Sequence, residues 1–182
     1  MISRLETLHM IERACWRELD RATRDRLHAW RVLTLATVDG ERADARSIVL
    51  REVDEAQRRL VFYSDARSAK VEQARARPDG TVVGWSPELS WQLRLSVRLA
   101  VEDSGPEVSS RWAKVKMSST ARDYLSALPP GTPVQSFKPE RGPREHFAVV
   151  TATVMSIDWL ELHDHGHRRA VFDALGGHWL TP

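Results

Sequence analysis

Hydroxyl and cationic side chains come together in the sequence where a strand is predicted to pass into a short helix. Ser64 follows the predicted strand 59–63, and Ser68 and Lys70 open a segment, 68–77, of helical composition. The free N–H groups and the positive dipole end at the start of a helix favour an anion. These side chains therefore predict an anion site, with capping serines and a solvated lysine as the structural alternative.

Two arginines lie on the preceding predicted strand, residues 43–53. A guanidinium group recognises phosphate or carboxylate through a planar two-point fork. Arg46 and Arg51 are separated by an odd number of positions, so a regular strand turns them to opposite faces unless a bulge intervenes. The sequence contains neither a Walker-type loop nor a strand-linked glycine-rich dinucleotide loop, so side chains would have to hold a nucleotide phosphate.

The composition limits the class of protein. The chain is 42% hydrophobic and 29% charged, as in ordinary globular proteins, which argues against disorder along its whole length. No apolar run is long enough for a spanning helix and the N-terminus lacks the order of a signal peptide, so we expect a cytoplasmic protein with no membrane partner. The single cysteine, Cys15, lies at an apolar helical position and predicts a buried thiol.

Nucleic-acid binding is a further possibility raised by the basic segment 111–116. Uncharged residues separate its basic side chains and the sequence has no known nucleic-acid-binding module, so no nucleic-acid partner is expected.

Hydrophobic periodicity divides the chain into a helical start and a β-rich remainder. Apolar residues three and four apart predict an amphipathic helix within 2–30 that packs on the outside of a sheet. From residue 32 the period changes to two, and Asp39-Gly40 supplies hairpin-turn chemistry. Further short strands follow, with helices predicted at 68–77 and within 108–128. Many short strands joined by turns predict an antiparallel barrel or sandwich. The predicted strands are 32–38, 43–53, 59–63, 81–85, 90–102, 147–162 and 168–172.

The order and spacing of these motifs resemble the flavin-binding signature of the pyridoxamine 5′-phosphate oxidase family. The matching segments are R-S-I-V-L-R at 46–51, F-Y-S at 62–64, S-A-K at 68–70, the tryptophan at 85 with Q-L-R-L at 92–95, and the closing segment 159–172. The resemblance runs from about residue 30 to the C-terminus. It implies a mainly β (α+β) fold, an antiparallel six-stranded split β-barrel with peripheral helices. Residues 1–30 would be a helical segment packing on the barrel of 31–182, in a single domain.

The resemblance also implies how a flavin mononucleotide (FMN) cofactor would be held at the interface of a homodimer. Arg46 and Lys70 would bind the phosphate, with further phosphate contacts from Tyr63 and Ser64. Backbone near the middle of the 46–51 strand would pass the isoalloxazine, and Arg51 would take the place of the family's lysine near the ring. The full set of expected cofactor-binding residues is Arg46, Ser47, Ile48, Val49, Arg51, Tyr63, Ser64, Ser68, Lys70 and Gln92.

The activity that the resemblance implies is that of an FMN-dependent oxidoreductase or oxidase, whose flavin takes electrons from a small-molecule donor. Ala69 stands where the oxidase has an arginine, and the closing segment reads H-D-H-G-H-R-R at 163–169, so no substrate is assigned. A non-catalytic flavin- or haem-binding barrel is the alternative. His163, His165 and His167 also raise a metal site, which we do not expect because three ligands on one tight hairpin make a poor tetrahedral cage.

Overall fold

The computed structural model describes residues 4–118, 121, 124–135 and 146–182. Within them the helices are α1 Leu8–Arg24, α2 Ala69–Ala76 and α3 Pro106–Lys116, with a 3₁₀ turn at Ala29–Arg31. The strands are β1 Val32–Asp39, β2 Arg42–Asp54, β3 Arg59–Asp65, β4 Asp79–Ser86, β5 Trp91–Glu102, β6 Phe147–Glu161, β7 Arg168–Asp173 and β8 Gly176–Leu180.

The strands form one antiparallel sheet in the order β3-β2-β1-β4-β5-β6-β7-β8. Pairing of β3 with β6 closes the first six strands into a barrel, and β7 and β8 extend the sheet beyond β6. Closure removes the free strand edges of the barrel. The predicted six-stranded antiparallel barrel with peripheral helices is confirmed.

The barrel interior follows from the alternation of side chains, which is clearest on β5. On β5 the buried side chains are those of Trp91, Leu93, Leu95, Val97 and Leu99, while the residues between them face outward. Helix α1 adds its apolar stripe, including the buried Cys15, to the same core. Burial raises the pKa of the Cys15 thiol. None of the described helices is long and apolar enough to cross a membrane.

The helices begin at residues other than the predicted ones, because the residues at their N-termini determine where each helix starts. Helix α1 begins at Leu8 because the Thr7 hydroxyl accepts a hydrogen bond from Met10 N. Of the one or two helices predicted within 108–128, the structure shows α3, which begins at Pro106, a position that suits the missing N–H of proline. Residues 119, 120, 122 and 123 of that range lie outside the described residues.

Strand β8 was not predicted, because Gly176 and Gly177 are poor strand formers. Its strand conformation comes from pairing with β7. Gly177 lies against Phe172, where a Cβ atom would come within 2.7 Å of the ring. The glycine therefore allows a close approach that a side chain would prevent.

Candidate cofactor site

Ser64, Ser68 and Lys70 form one polar cluster between the end of β3 and the start of α2. The two hydroxyl oxygens lie 2.8 Å apart, and Lys70 Nζ donates to Ser64 Oγ at 3.3 Å. Both serines are buried. Ser68 occupies the N-cap position of α2, yet its side chain makes no capping hydrogen bond. Hydroxyl donors and an ammonium group at the start of a helix are what a phosphate requires, so these residues fit the FMN phosphate.

Arg46 lies at the same end of the barrel, held by neighbours on β1, β2 and α2. Its Nη1 donates to Thr37 Oγ1 and to the Leu35 carbonyl, and its Nη2 donates to Gln73 Oε1 at 2.7 Å and to the Asp44 carboxylate. The hydroxyl of Thr37 also donates to Gln73 Oε1, at 2.6 Å. The guanidinium is therefore fixed from several sides.

Electrostatics couples Arg46 to Lys70. Burial, and next the charge of Arg46, lower the pKa of Lys70, while Asp65 and Asp44 act in the opposite direction. Because the positive charges of Arg46 and Lys70 repel each other, an anion bound by both groups stabilises both charges. The barrel end therefore offers a phosphate two positive groups and two buried hydroxyls.

Arg51 has surroundings different from those of Arg46. The register of β2 with β3 shifts between Leu50 and Glu52, which makes Arg51 the bulged residue. Its guanidinium carbon lies 5.7 Å from the centre of the Tyr63 ring, and its buried Nε has no hydrogen-bond partner among the described residues. The two arginines thus contact separate groups, and the bulge at Arg51 means that this separation does not follow from their odd spacing alone.

The hydroxyl of Tyr63 belongs to an ion-pair network with α3. It donates to Glu52 Oε1 at 2.8 Å, and Arg111 donates to both oxygens of Glu52 at 2.9 Å. Burial raises the pKa of Glu52, but Arg111 and Tyr63 outweigh it, so the pKa is lowered overall. Burial and the bond to Glu52 raise the pKa of Tyr63. The structure does not join this hydroxyl to the serine–lysine cluster, and its phosphate contact stays a prediction.

The remaining expected residues divide between the interior and the outer face. Ile48 is buried in the core. Ser47 and Val49 pair with Thr34 and the half-exposed Val32, so they face outward, because paired residues share a face.

Gln92 lies on the outer face too. It is paired with Trp85, which is 45% exposed. The cofactor-site prediction is thus divided among the barrel end (Arg46, Ser64, Ser68, Lys70), the outer face (Ser47, Val49, Gln92), the Tyr63 side (Arg51, Tyr63) and the core (Ile48).

Sequence reasoning missed Asp44, Thr37 and Gln73 around Arg46. Asp44 carried a signal, since residues two apart on a strand share a face and opposite charges there attract. Thr37 and Gln73 carried none, because their approach depends on the β1–β2 register and on the packing of α2.

Two ring nitrogens of the histidine hairpin accept hydrogen bonds from the backbone of the hairpin itself. His163 N donates to His167 Nδ1 at 3.1 Å, and His165 N donates to His163 Nδ1 at 3.0 Å. Within the described ranges, no three His, Cys, Asp or Glu side chains converge as a metal ion would need.

Comparison with known proteins connects this geometry to a family. Residues 13–103 match the family model described as pyridoxamine 5′-phosphate oxidase, FMN-binding domain. A pyridoxine/pyridoxamine 5′-phosphate oxidase of Thermosynechococcus vestitus is 30% identical over 161 residues, which cover 81% of this chain and 75% of the relative. The enzyme of the same name from Caulobacter vibrioides is 27% identical over 163 residues, 82% of this chain and 72% of the relative.

Solved structures share the fold. A pyridoxamine 5′-phosphate oxidase-related, FMN-binding protein from Nostoc punctiforme superposes with a TM-score of 0.74 at 22% identity, covering 93% of this chain and 97% of its own. PhzG from Burkholderia lata, solved with tetrahydrophenazine-1-carboxylic acid, gives a TM-score of 0.71 at 17% identity, covering 100% and 95%. Given the match of residues 13–103 and the barrel, the chain belongs to the pyridoxamine 5′-phosphate oxidase family and carries its FMN-binding domain.

Proposed function

We propose that the protein is an FMN-dependent oxidoreductase that works as a homodimer. The observation that carries the proposal is the buried Ser64–Ser68 hydroxyl pair with Lys70 at the start of α2, beside Arg46, in a chain of this family. In this role the hydroxyls donate to phosphate oxygens and the two cations neutralise their charge. Bound FMN would supply the electron-accepting chemistry, and the chain would hold and orient it.

The outer face of the barrel offers groups for the rest of the cofactor. Gln92 presents an amide with both donor and acceptor atoms, next to the broad apolar surface of Trp85. On the Tyr63 side, the buried Nε of Arg51 is a donor without a partner among the described residues. A planar, polar-edged ring system needs this combination of flat apolar surface and separate hydrogen-bonding groups.

The same outer face supports the homodimer. Val32 and Trp85 are exposed on neighbouring strands, and Leu180 is exposed on β8. Apolar side chains grouped on one face are covered when two copies pack through it.

The test is to identify the cofactor and then to reduce it. We expect purified protein to carry or take up FMN, identified by absorbance and mass after release, and to elute as a dimer by light scattering. Stopped-flow mixing with pyridoxamine 5′-phosphate, tetrahydrophenazine-1-carboxylic acid or a reduced nicotinamide should give rapid, saturable reduction by one of these donor classes.

Each outcome has a distinct meaning. FMN that binds but is reduced by no donor would replace the oxidoreductase with a non-catalytic flavin-binding protein. A colourless protein that does not take up FMN would refute the proposal, and a monomer would refute its dimeric part.

A further inference from the structure

Arg46 has almost no donor left for a phosphate. A guanidinium carries five N–H groups. The two N–H groups of Nη1 donate to Thr37 and Leu35, and the two of Nη2 donate to Gln73 and Asp44. Nε is then the donor of Arg46 without an acceptor among the described residues. A two-point contact with phosphate therefore requires one of these acceptors to leave.

Asp44 is the acceptor that can leave. Thr37, Leu35 and Gln73 are tied to the barrel and α2, and Thr37 and Gln73 are buried. The Asp44 side chain is 43% exposed, against 17% for that of Arg46, so it lies on the solvent side of the ion pair. It can rotate into water without opening the core.

A carboxylate and a phosphate compete for the same fork of donors. Asp44 also accepts from Gln73 Nε2 at 2.9 Å, and its charge acts on Lys70. It therefore lies among the groups that the phosphate needs, with the same sign of charge as the phosphate.

We infer that Asp44 is an internal competitor of the cofactor phosphate, which occupies Arg46 in the free protein and weakens the binding of any phosphate-bearing ligand. The inference rests on the proposed FMN site. Loss of the Asp44 charge leaves Arg46 held by Thr37, Leu35 and Gln73, so the guanidinium stays in place, and a neutral amide oxygen competes with a phosphate for Nη2 less strongly than a carboxylate does.

The test compares apoprotein with its Asp44→Asn variant, which keeps the shape and removes the charge. FMN and riboflavin are titrated separately by the quenching of flavin fluorescence. We expect Asp44→Asn to bind FMN about five- to tenfold more tightly, since one like charge a few ångströms away is removed at a partly exposed site. Riboflavin, which has no phosphate, should bind both proteins equally.

Two controls make the result specific. Asp79→Asn removes a carboxylate that is 81% exposed and contacts Arg98 at 3.5 Å, and it should leave FMN affinity unchanged. In an Arg46→Gln background the gain from Asp44→Asn should disappear, because the guanidinium that it frees is absent.

The outcomes separate the inference from the proposed function. If the unaltered protein binds FMN and Asp44→Asn binds it equally or more weakly, Asp44 supports Arg46 and the inference is overturned alone. An equal gain for riboflavin would overturn it too, because the effect would not depend on phosphate. If neither protein binds FMN, the proposed function falls and takes the inference with it.

Discussion

Lys70 is the cleanest probe of the phosphate site. Arg46 supports four neighbouring groups, so its removal would disturb the barrel end as well as the cofactor. Lys70 makes one side-chain hydrogen bond, to Ser64, and its side chain is only partly buried. The substitution Lys70→Gln therefore removes the charge with little cost to the fold.

The expected effect of Lys70→Gln follows from one charge-assisted contact. A hydrogen bond to a charged group contributes about 1.5–3 kcal/mol. At about 1.4 kcal/mol for each factor of ten, FMN affinity should fall about tenfold to a little over a hundredfold. Affinity for riboflavin should not change, because it lacks the phosphate.

The assay is fluorescence titration of apoprotein with FMN and with riboflavin, alongside thermal unfolding to verify the fold. Arg75→Gln is the matched control, because Arg75 lies on the same helix and pairs with Asp103 at the exposed surface. FMN affinity that survives Lys70→Gln, or an equal loss for both flavins, would refute the assignment of Lys70 to the phosphate.

Three further predictions concern pH, packing and thiol chemistry. FMN affinity should weaken as pH rises through the lowered pKa of Lys70, because the charged form of the lysine binds the phosphate. In Lys70→Arg the affinity should change less with pH, because arginine stays charged. The same pH dependence in the variant and the unaltered protein would contradict the role of Lys70. Gly84→Ala should lower the free energy of unfolding in urea by about 1–3 kcal/mol, because its Cβ would lie 2.6 Å from Leu33 Cδ2 and 3.0 Å from Trp30 Cδ1; an unchanged midpoint contradicts this packing. Cys15 is buried and its pKa is raised, so a thiol reagent should label it only after denaturation, and rapid labelling of native protein would disagree with its place in the core.

Local spacing made much of the fold predictable. Apolar patterning and turn residues predicted seven of the eight strands found in the described residues, since both are properties of neighbouring residues in the chain. Strand β8 escaped because its conformation depends on β7 rather than on its own glycine-rich residues.

In the candidate site, too, local spacing predicted only the residues that lie close together in the sequence. Ser64, Ser68 and Lys70 lie within one strand-to-helix junction, so their spacing by itself predicted the cluster that the structure shows. The odd separation of Arg46 and Arg51 did not by itself determine their surroundings, because the bulge at Arg51 interrupts the alternation of side chains along β2.

Only the tertiary structure decided which groups form hydrogen bonds with these side chains. The β1–β2 register and the packing of α2 bring Thr37 and Gln73 to Arg46, and the docking of α3 brings Arg111 to the Glu52 that holds Tyr63. These partners are distant in sequence, and their approach depends on barrel closure and helix packing, which no local period encodes. The sequence determined which residues could bind a phosphate, and the fold determined that an aspartate already holds one of them.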